Sequence, residues 1–413
     1  MDDAKKSIEE MKVLMFGWEF PPFNSGGLGT ACYGLTKGLA KKGVEIAFVL
    51  PRKLDIDVDF LKMVYPSGDK FEKTHNYLVN SLLMPYLTQK TYKERYSIHG
   101  VKELPPLYGS TLFEEVERYE LIGEQIARQE KFDIIHAHDW LTFKAALAAK
   151  RISGKYLIVH VHATEFDRTG GNGVNQMVYE IEKRGMEEAD MVIAVSNYTK
   201  QMIIDKYSIP GSKIRVVHNG IDYESKALRK MHALKKNNKI VLFLGRITIQ
   251  KGPDYFIYAA KKILKYCPNV VFVIAGSGDM DRFIINKVAE MNLADKVIFT
   301  GFLRGEELKK AYEMADVYVM PSVSEPFGIT PLEALMHETP VVMSKQSGVS
   351  EVVKNCLKID FWDVDEMANK ITAILNYPAL SKTLKENGVE EVKHISWDRS
   401  AEKCNDIYSE VLR

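Results

Sequence analysis

At 413 residues, the chain is long enough for two domains of about 100–200 residues each. Apolar residues make up 46% of it and charged residues 27%, the balance of a globular chain with a sizeable core. With 56 Lys and Arg against 55 Asp and Glu, the net charge of +1 argues against bulk capture of nucleic acid or an anionic membrane, while leaving room for a local basic pocket.

Short apolar runs alternate with amphipathic stretches along the first half. Lys12–Gly17, Glu45–Leu50, Asp133–Ala137, Tyr156–Val161 and Met191–Val195 read as strands buried on both faces. Helix-length segments follow at Leu28–Lys42, Trp140–Lys150, Val174–Glu188 and Ser196–Lys206, and this alternation predicts a parallel sheet covered by helices. Between the first strands and the third, Phe60–Val116 lacks clean periodicity and reads as an insertion. A polar stretch from Asn219 to Asn238 reads as the inter-domain link. A second series then begins, with strands at Ile240–Leu244, Val270–Ala275, Lys296–Thr300, Val317–Met320 and Pro340–Met343. Its helices are predicted at Pro253–Tyr266, Met280–Asn292, Glu306–Ala315, Thr330–His337 and Val364–Asn376, and a last helix at Trp397–Leu412. The expected fold class is α/β with two Rossmann-like domains. Residues 1–222 form the first, with the insertion near 60–116, and residues 223–392 the second, leaving a C-terminal helix in 393–413.

In open α/β sheets ligands bind off the carboxyl ends of the strands, so the residues just after each strand are the informative ones. With two such sheets, a cleft between the domains is the expected site. After the first strand stands Asn24-Ser-Gly-Gly-Leu-Gly. Gly26 and Gly27 let the backbone approach a bulky anion before a helix start; a tight turn without ligand is the plainer reading. Its spacing is not that of a dinucleotide fingerprint. In Leu244-Gly-Arg-Ile-Thr-Ile-Gln-Lys-Gly, Arg246 and Lys251 pair a guanidinium fork with a point charge, which suits a diphosphate; two solvated cations are equally compatible with the pattern. In Ser324-Glu-Pro-Phe-Gly-Ile-Thr-Pro-Leu-Glu, Gly328 relaxes the backbone and Pro331 fits a first helical turn. Amides near Gly328, Ile329 and Thr330 would then form an anion cradle. Glu325 and Glu333, eight positions apart, would grip sugar and ribose hydroxyls; paired carboxylates also serve glycoside hydrolysis, and a helix cap with a solvated acid is the bland reading.

Two His-x-His elements follow the third and fourth strands: His136-Ala-His138-Asp139-Trp140 and His160-Val-His162-Ala-Thr-Glu165. Residues i and i+2 of a strand share a face, so four imidazoles can cluster, a set that suits a transition metal. No carboxylate-rich strand end converges with them, and the expectation is no metal, with His162 touching substrate. Ala275-Gly-Ser-Gly-Asp reads as a simple turn, and the Asn197-Tyr-Thr sequon carries no weight without a secretory signal. Met1-Asp-Asp-Ala-Lys-Lys-Ser lacks an apolar signal core, and no stretch approaches the roughly 20 apolar residues that span a bilayer. Cys32, Cys267, Cys356 and Cys404 lie far apart without a CxxC pair. A cytoplasmic chain without transmembrane segment, disulfide framework or nucleic-acid partner is expected.

Taken in order, these motifs resemble those of retaining nucleotide-sugar glycosyltransferases of the two-Rossmann-domain (GT-B) type, families 4 and 5. That group includes glycogen and starch synthases, sucrose-phosphate synthase and many mannosyl- and glucosyltransferases. The resemblance covers nearly the whole chain. Its most specific piece is Glu325-Pro-Phe-Gly-Ile-Thr-Pro-Leu-Glu333, which looks like the family's Glu-x7-Glu signature. Arg246 with Lys251, the Gly26-Gly27 loop, His138-Asp-Trp140 and Val217-His-Asn-Gly-Ile-Asp222 match in sequence order.

The resemblance implies two domains facing across a deep cleft, with the C-terminal helix crossing back to the first domain. It implies that Arg246 and Lys251 hold the donor diphosphate, Glu325 the hexose and Glu333 the ribose. Gly26, Gly27, Phe327, Gly328, Ile329 and Thr330 would complete the donor site. His162 would lie at the reacting sugar, and Asp139 and Glu165 would face the acceptor. Where bacterial ADP-glucose synthases carry Lys-x-Gly-Gly-Leu, this chain has Asn24, which favours UDP-glucose over ADP-glucose as donor. The expected activity is metal-independent, cofactor-free hexosyl transfer to a carbohydrate acceptor, an α-glucan among the candidates. A sucrose-phosphate-synthase-like or mannosyl transferase, a nucleotide-sugar epimerase or phosphorylase, a His-x-His metal-dependent hydrolase and a non-catalytic sensor are the competing readings.

Overall fold

A computed structural model describes residues 11–22, 26–51, 53–54, 56–65, 112–171, 173–222 and 238–413. The chain divides into two compact units. One comprises residues up to Glu165, Val174–Gly220 and Trp397–Arg413; the other comprises Phe166–Gly173 and Ile221–Ser396.

The first unit is a seven-stranded parallel sheet. Its elements run β1 (Lys12–Phe16), α1 (Gly27–Lys41), β2 (Glu45–Val49), β3 (Lys62–Val64), α2 (Leu112–Gln129), β4 (Ile134–His138), α3 (Trp140–Ser153), β5 (Tyr156–Val161), α4 (Gln176–Glu188), β6 (Met191–Ala194), α5 (Asn197–Tyr207) and β7 (Ile214–Val216). The strand order is β3-β2-β1-β4-β5-β6-β7, so the winding reverses between β1 and β4. The predicted strands form within a residue or two of their expected ends because each is an apolar run bounded by polar residues. Two stretches differ from expectation. β3 and the start of α2 lie inside what read as an irregular insertion, since a three-residue edge strand carries too little pattern to be seen; residues 66–111 of that stretch lie outside the described residues. The β7 strand is equally short and equally silent in the sequence.

The second unit is a six-stranded parallel sheet of β8 (Lys239–Leu244), α6 (Pro253–Ile263), β9 (Val270–Ala275), α7 (Asp281–Glu290), β10 (Val297–Gly301), α8 (Gly305–Met314), β11 (Val317–Met320), α9 (Thr330–Met336), β12 (Val341–Ser344), β13 (Leu357–Ile359), α10 (Val364–Asn376) and α11 (Pro378–Val392). Its order β10-β9-β8-β11-β12-β13 reverses between β8 and β11. The helices start where local chemistry lets them. Pro253 opens α6 behind Gly252 at φ 61°, and Asp363 caps α10 by accepting from the Glu366 amide at 2.8 Å. Val241, Phe243, Phe256, Phe272, Ile274 and Ile371 anchor its core. Most of the expected link lies in residues 223–237, outside the described residues.

The final helix, α12 (Trp397–Leu412), belongs to the first unit and packs on α1. Two glycines make this close approach possible: a Cβ at Gly34 would stand 2.2 Å from the Trp397 ring, and one at Gly38 2.8 Å from the Ala401 methyl. Ser400 Oγ donates to the His218 carbonyl at 2.7 Å, fastening the helix start.

Candidate functional site

In each sheet the reversal of winding opens a gap above two strand tips, and the loops there hold most of the candidate residues. In the second unit these are the loops after β8 and β11. Arg246 Nη2 donates to Gln250 Oε1 at 3.0 Å, which lays the guanidinium along its own loop. Lys251 Nζ forms an ion pair with Glu325 Oε2, joining residues 74 apart in sequence, and Ser322 Oγ donates to the same oxygen at 3.2 Å. Glu325 is buried, so its charge relies on these two partners. The Glu325 loop is itself held by the loop after β12: the Glu325 amide donates to the Gln346 carbonyl and the Gly348 amide to the Glu325 carbonyl.

Gly328 adopts φ 97°, and Phe327 beneath it is buried. Ile329 and Thr330 lead into α9, with the Thr330 hydroxyl accepting from Tyr318 OH at 2.7 Å. Glu333 Oε2 accepts from Tyr312 OH at 2.7 Å. Burial pushes the Glu333 carboxyl above its usual range, against the pull of that hydrogen bond. The Gly276-Ser-Gly278 turn after β9, which read as a simple turn, has a specific packing role. A Cβ at Gly276 would stand 1.9 Å from the Gly245 carbonyl and one at Gly278 2.1 Å from the Ile247 carbonyl, so the turn braces the Arg246 loop from behind.

In the first unit, Gly26 caps α1 and its amide donates to Glu19 Oε2 at 3.3 Å; Gly27, the first helical residue, has open space where a Cβ would stand. Asn24 and Ser25 lie outside the described residues. Asp139, at the tip of β4, takes φ 60°, a conformation that costs a non-glycine residue about 1–3 kcal/mol. It is buried, and its Oδ1 accepts from the His162 amide at 2.6 Å and the Ala163 amide at 3.3 Å. Asp139 thus sets the path of the chain through His162. Glu165 is also buried. Its Oε1 accepts from the Asn175 amide at 3.2 Å, and its own amide donates to Glu182 Oε2, which is also held by Tyr207 OH.

The two His-x-His elements do assemble. β4 and β5 pair with His138 opposite His160, placing His136, His138, His160 and His162 on one face. His136 Nδ1 bonds to Tyr408 OH of α12 at 2.6 Å and its Nε2 lies 3.3 Å from His160 Nδ1; His138 Nδ1 meets His162 Nε2 at 2.9 Å. Burial pushes His136 and His162 down to about 3, and His138 and His160 well below the usual imidazole value. All four rings are therefore neutral at pH 7.

Sequence reasoning missed Glu19, Glu182, Tyr312, Tyr318 and Tyr408, which hold the site residues from distant elements and carry no local signal. It also missed Asp167, buried in the second unit, whose Oδ1 accepts from Ser324 Oγ at 2.5 Å. Ser322 was readable, three residues before Glu325 in the same loop.

Two all-parallel sheets of this winding, with a Glu-x7-Glu segment at the second reversal, define a two-Rossmann glycosyltransferase. Residues 25–225 match the model of Glycosyltransferase Family 4 and residues 224–391 that of Glycosyl transferases group 1. The chain is 31% identical to an uncharacterised glycosyltransferase of Methanocaldococcus jannaschii over 96% of this chain and 98% of that protein. The chain belongs to this glycosyltransferase family. It is also 26% identical to a glycogen synthase of Mycobacterium tuberculosis, covering 90% of this chain and 88% of the relative. Among solved structures, the sucrose-phosphate synthase of Thermosynechococcus elongatus has a TM-score of 0.73 at 21% identity, covering 97% of this chain and 98% of that one. The Anabaena protein HepE, solved with UDP and glucose, has a TM-score of 0.69 at 17% identity, covering 97% and 100%. Both share the fold. No helix among the described residues is long and apolar enough to cross a membrane.

Proposed function

We propose that this glycosyltransferase moves glucose from UDP-glucose to a carbohydrate acceptor with retention of anomeric configuration, an α-glucan being one candidate acceptor. The observation that carries this reading is the Lys251–Glu325 pair, which sets a cation and a buried carboxylate side by side above the β8–β11 reversal. An ammonium has three N–H bonds, so pairing with Glu325 leaves capacity for phosphate oxygens. Arg246 takes the other phosphate, Glu333 the ribose, and the Gly328–Thr330 backbone the leaving oxygen. Gly26 and Gly27 leave the backbone ahead of α1 open to a bulky anionic ligand. His162 hydrogen-bonds the reacting hexose, with Asp139 and Glu165 shaping the acceptor side through the backbone they hold.

In the transfer step the bond from the anomeric carbon to the diphosphate oxygen breaks as the acceptor hydroxyl bonds to the same face. The acceptor proton passes to the departing phosphate. Negative charge grows on the diphosphate, and Arg246 and Lys251 are fixed to meet it, which is where preorganised charge contributes most. On this reading no metal ion is needed at the diphosphate.

A donor screen tests this. UDP-, ADP- and GDP-sugars are offered with maltooligosaccharide or glucose 6-phosphate, released nucleotide is measured, and product configuration is read by NMR. UDP release from UDP-glucose with an α-linked product is expected. A β-linked product, or preference for another donor, overturns the corresponding part. Turnover with glucose 6-phosphate instead of maltooligosaccharide selects the sucrose-phosphate-synthase-like reading, for which the shared fold is the supporting observation.

A further inference from the structure

The four-histidine cluster holds more nitrogen than the transfer chemistry uses. Only His162 is assigned to substrate; His136, His138 and His160 lie beneath it, each at most 1% exposed. They offer ring nitrogens that all lie within 4.8 Å of one another. Four observations make this more than a stack of rings. His136 Nε2 and His160 Nδ1 are 3.3 Å apart. A tetrahedral ion with bonds of about 2.0–2.1 Å to nitrogen sets its donor atoms about 3.3–3.4 Å apart. Next, His138 Nε2 and His160 Nε2 are buried with no hydrogen-bond partner, an arrangement that polar atoms in a packed core avoid. Third, the other ring nitrogen of two of the three is already engaged: His136 Nδ1 with Tyr408 OH at 2.6 Å and His138 Nδ1 with His162 Nε2 at 2.9 Å. Metal-bound histidines are oriented in this way by an outer partner. Finally, the strands fix the spacing, since His138 sits opposite His160 and two residues from His136.

We propose that His136, His138 and His160 form a buried binding site for one divalent transition-metal ion of the zinc class. An all-imidazole set suits Zn²⁺, Co²⁺ or Ni²⁺ and not Mg²⁺ or Ca²⁺, which take oxygen ligands. The ion is structural. With His160 bound through Nδ1, it gives the orphaned His138 Nε2 a metal bond, ties β4 to β5, and through Tyr408 holds α12 against the sheet. It takes no part in the donor chemistry, whose cations are Arg246 and Lys251, so the site stands or falls independently of the proposed donor and acceptor.

The test uses the full chain, expressed in zinc-supplemented medium and purified without chelator. Elemental analysis is expected to give one zinc per chain. Chelation and reconstitution with Co²⁺ should give the intense visible bands of a tetrahedral site. His138→Gln and His160→Gln should each lower Co²⁺ affinity at least 100-fold while circular dichroism stays unchanged. Below 0.1 equivalents of zinc, cobalt and nickel in the wild-type chain overturns the proposal, as does full metal retention in both variants. Should the variants not fold, X-ray absorption on the zinc-loaded wild type decides: an imidazole shell of three supports the site and an oxygen-only shell refutes it.

Discussion

Lys251 bonds to a carboxylate whose other listener is a serine hydroxyl, so its position is set before any donor arrives. Replacing Lys251 with Ala removes a preorganised positive charge from the diphosphate and leaves Glu325 buried with less compensation. Such a loss typically costs about 2.7–4 kcal/mol, so kcat of Lys251→Ala should fall by about 10²-fold or more. Near-normal kcat would remove Lys251 from its proposed role. The two glutamates should separate under the same measurement. Glu325 is buried beside Lys251, and Glu325→Gln should depress kcat more than nucleotide affinity. Glu333 is held by Tyr312, and Glu333→Gln should weaken nucleotide binding while kcat at saturation holds. Calorimetric titration with the free nucleotide distinguishes them, and equal losses of affinity would contradict the division of roles.

Among the elements, α12 depends on the flat face that two glycines give α1. A valine at Gly34 would drive its side chain into the Trp397 ring, and a shift of the whole helix is the only relief, because the nearest atoms belong to a rigid indole. Over-packing of this kind costs about 1–3 kcal/mol, so Gly34→Val should lower the urea midpoint with little change in slope. Because Tyr408 sits on the same helix and bonds to His136, displacement should also disturb the histidine cluster. Unchanged stability in Gly34→Val would mean that the contact is softer than its geometry implies. Similar logic explains Gly276 and Gly278, whose missing side chains allow the turn after β9 to support the Arg246 loop.

For the molecule as a whole, the histidine cluster sets a pH dependence. His136 and His162 are held at about 3, and His138 and His160 also lie well below 6.5, all chiefly by burial. Unfolding returns each to about 6.5, so the unfolded chain binds more protons between those values. The cluster's stability is therefore complete above pH 6.5 and is lost as pH falls from there toward 3, at up to about 1.4 kcal/mol per pH unit for each histidine. Urea unfolding of the chelator-treated chain should show a lower midpoint at pH 5 than at pH 7.5, and His136→Gln should flatten that dependence. A midpoint constant across this range would show that the imidazoles titrate normally in the folded state.

The sequence by itself determined the alternation of strands and helices, because a strand buried on both faces must be a continuous apolar run and a covering helix must be amphipathic. It also picked out the loops after β1, β8 and β11, where glycines and charges stand at strand ends for no packing reason, and it placed four histidines on shared strand faces through the two-residue period. Short edge strands such as β3, β7 and β13 escaped it, since three residues carry no period. Only the tertiary structure decided which partners those residues meet. Lys251 finds Glu325 across 74 residues, His136 finds Tyr408 across 272, and Asp139 turns its carboxylate onto the His162 backbone. The reason is physical: local pattern encodes which face a side chain shows, whereas the partner on that face is set by the order in which strands join the sheet, and neither sheet's strand order is written in any one segment.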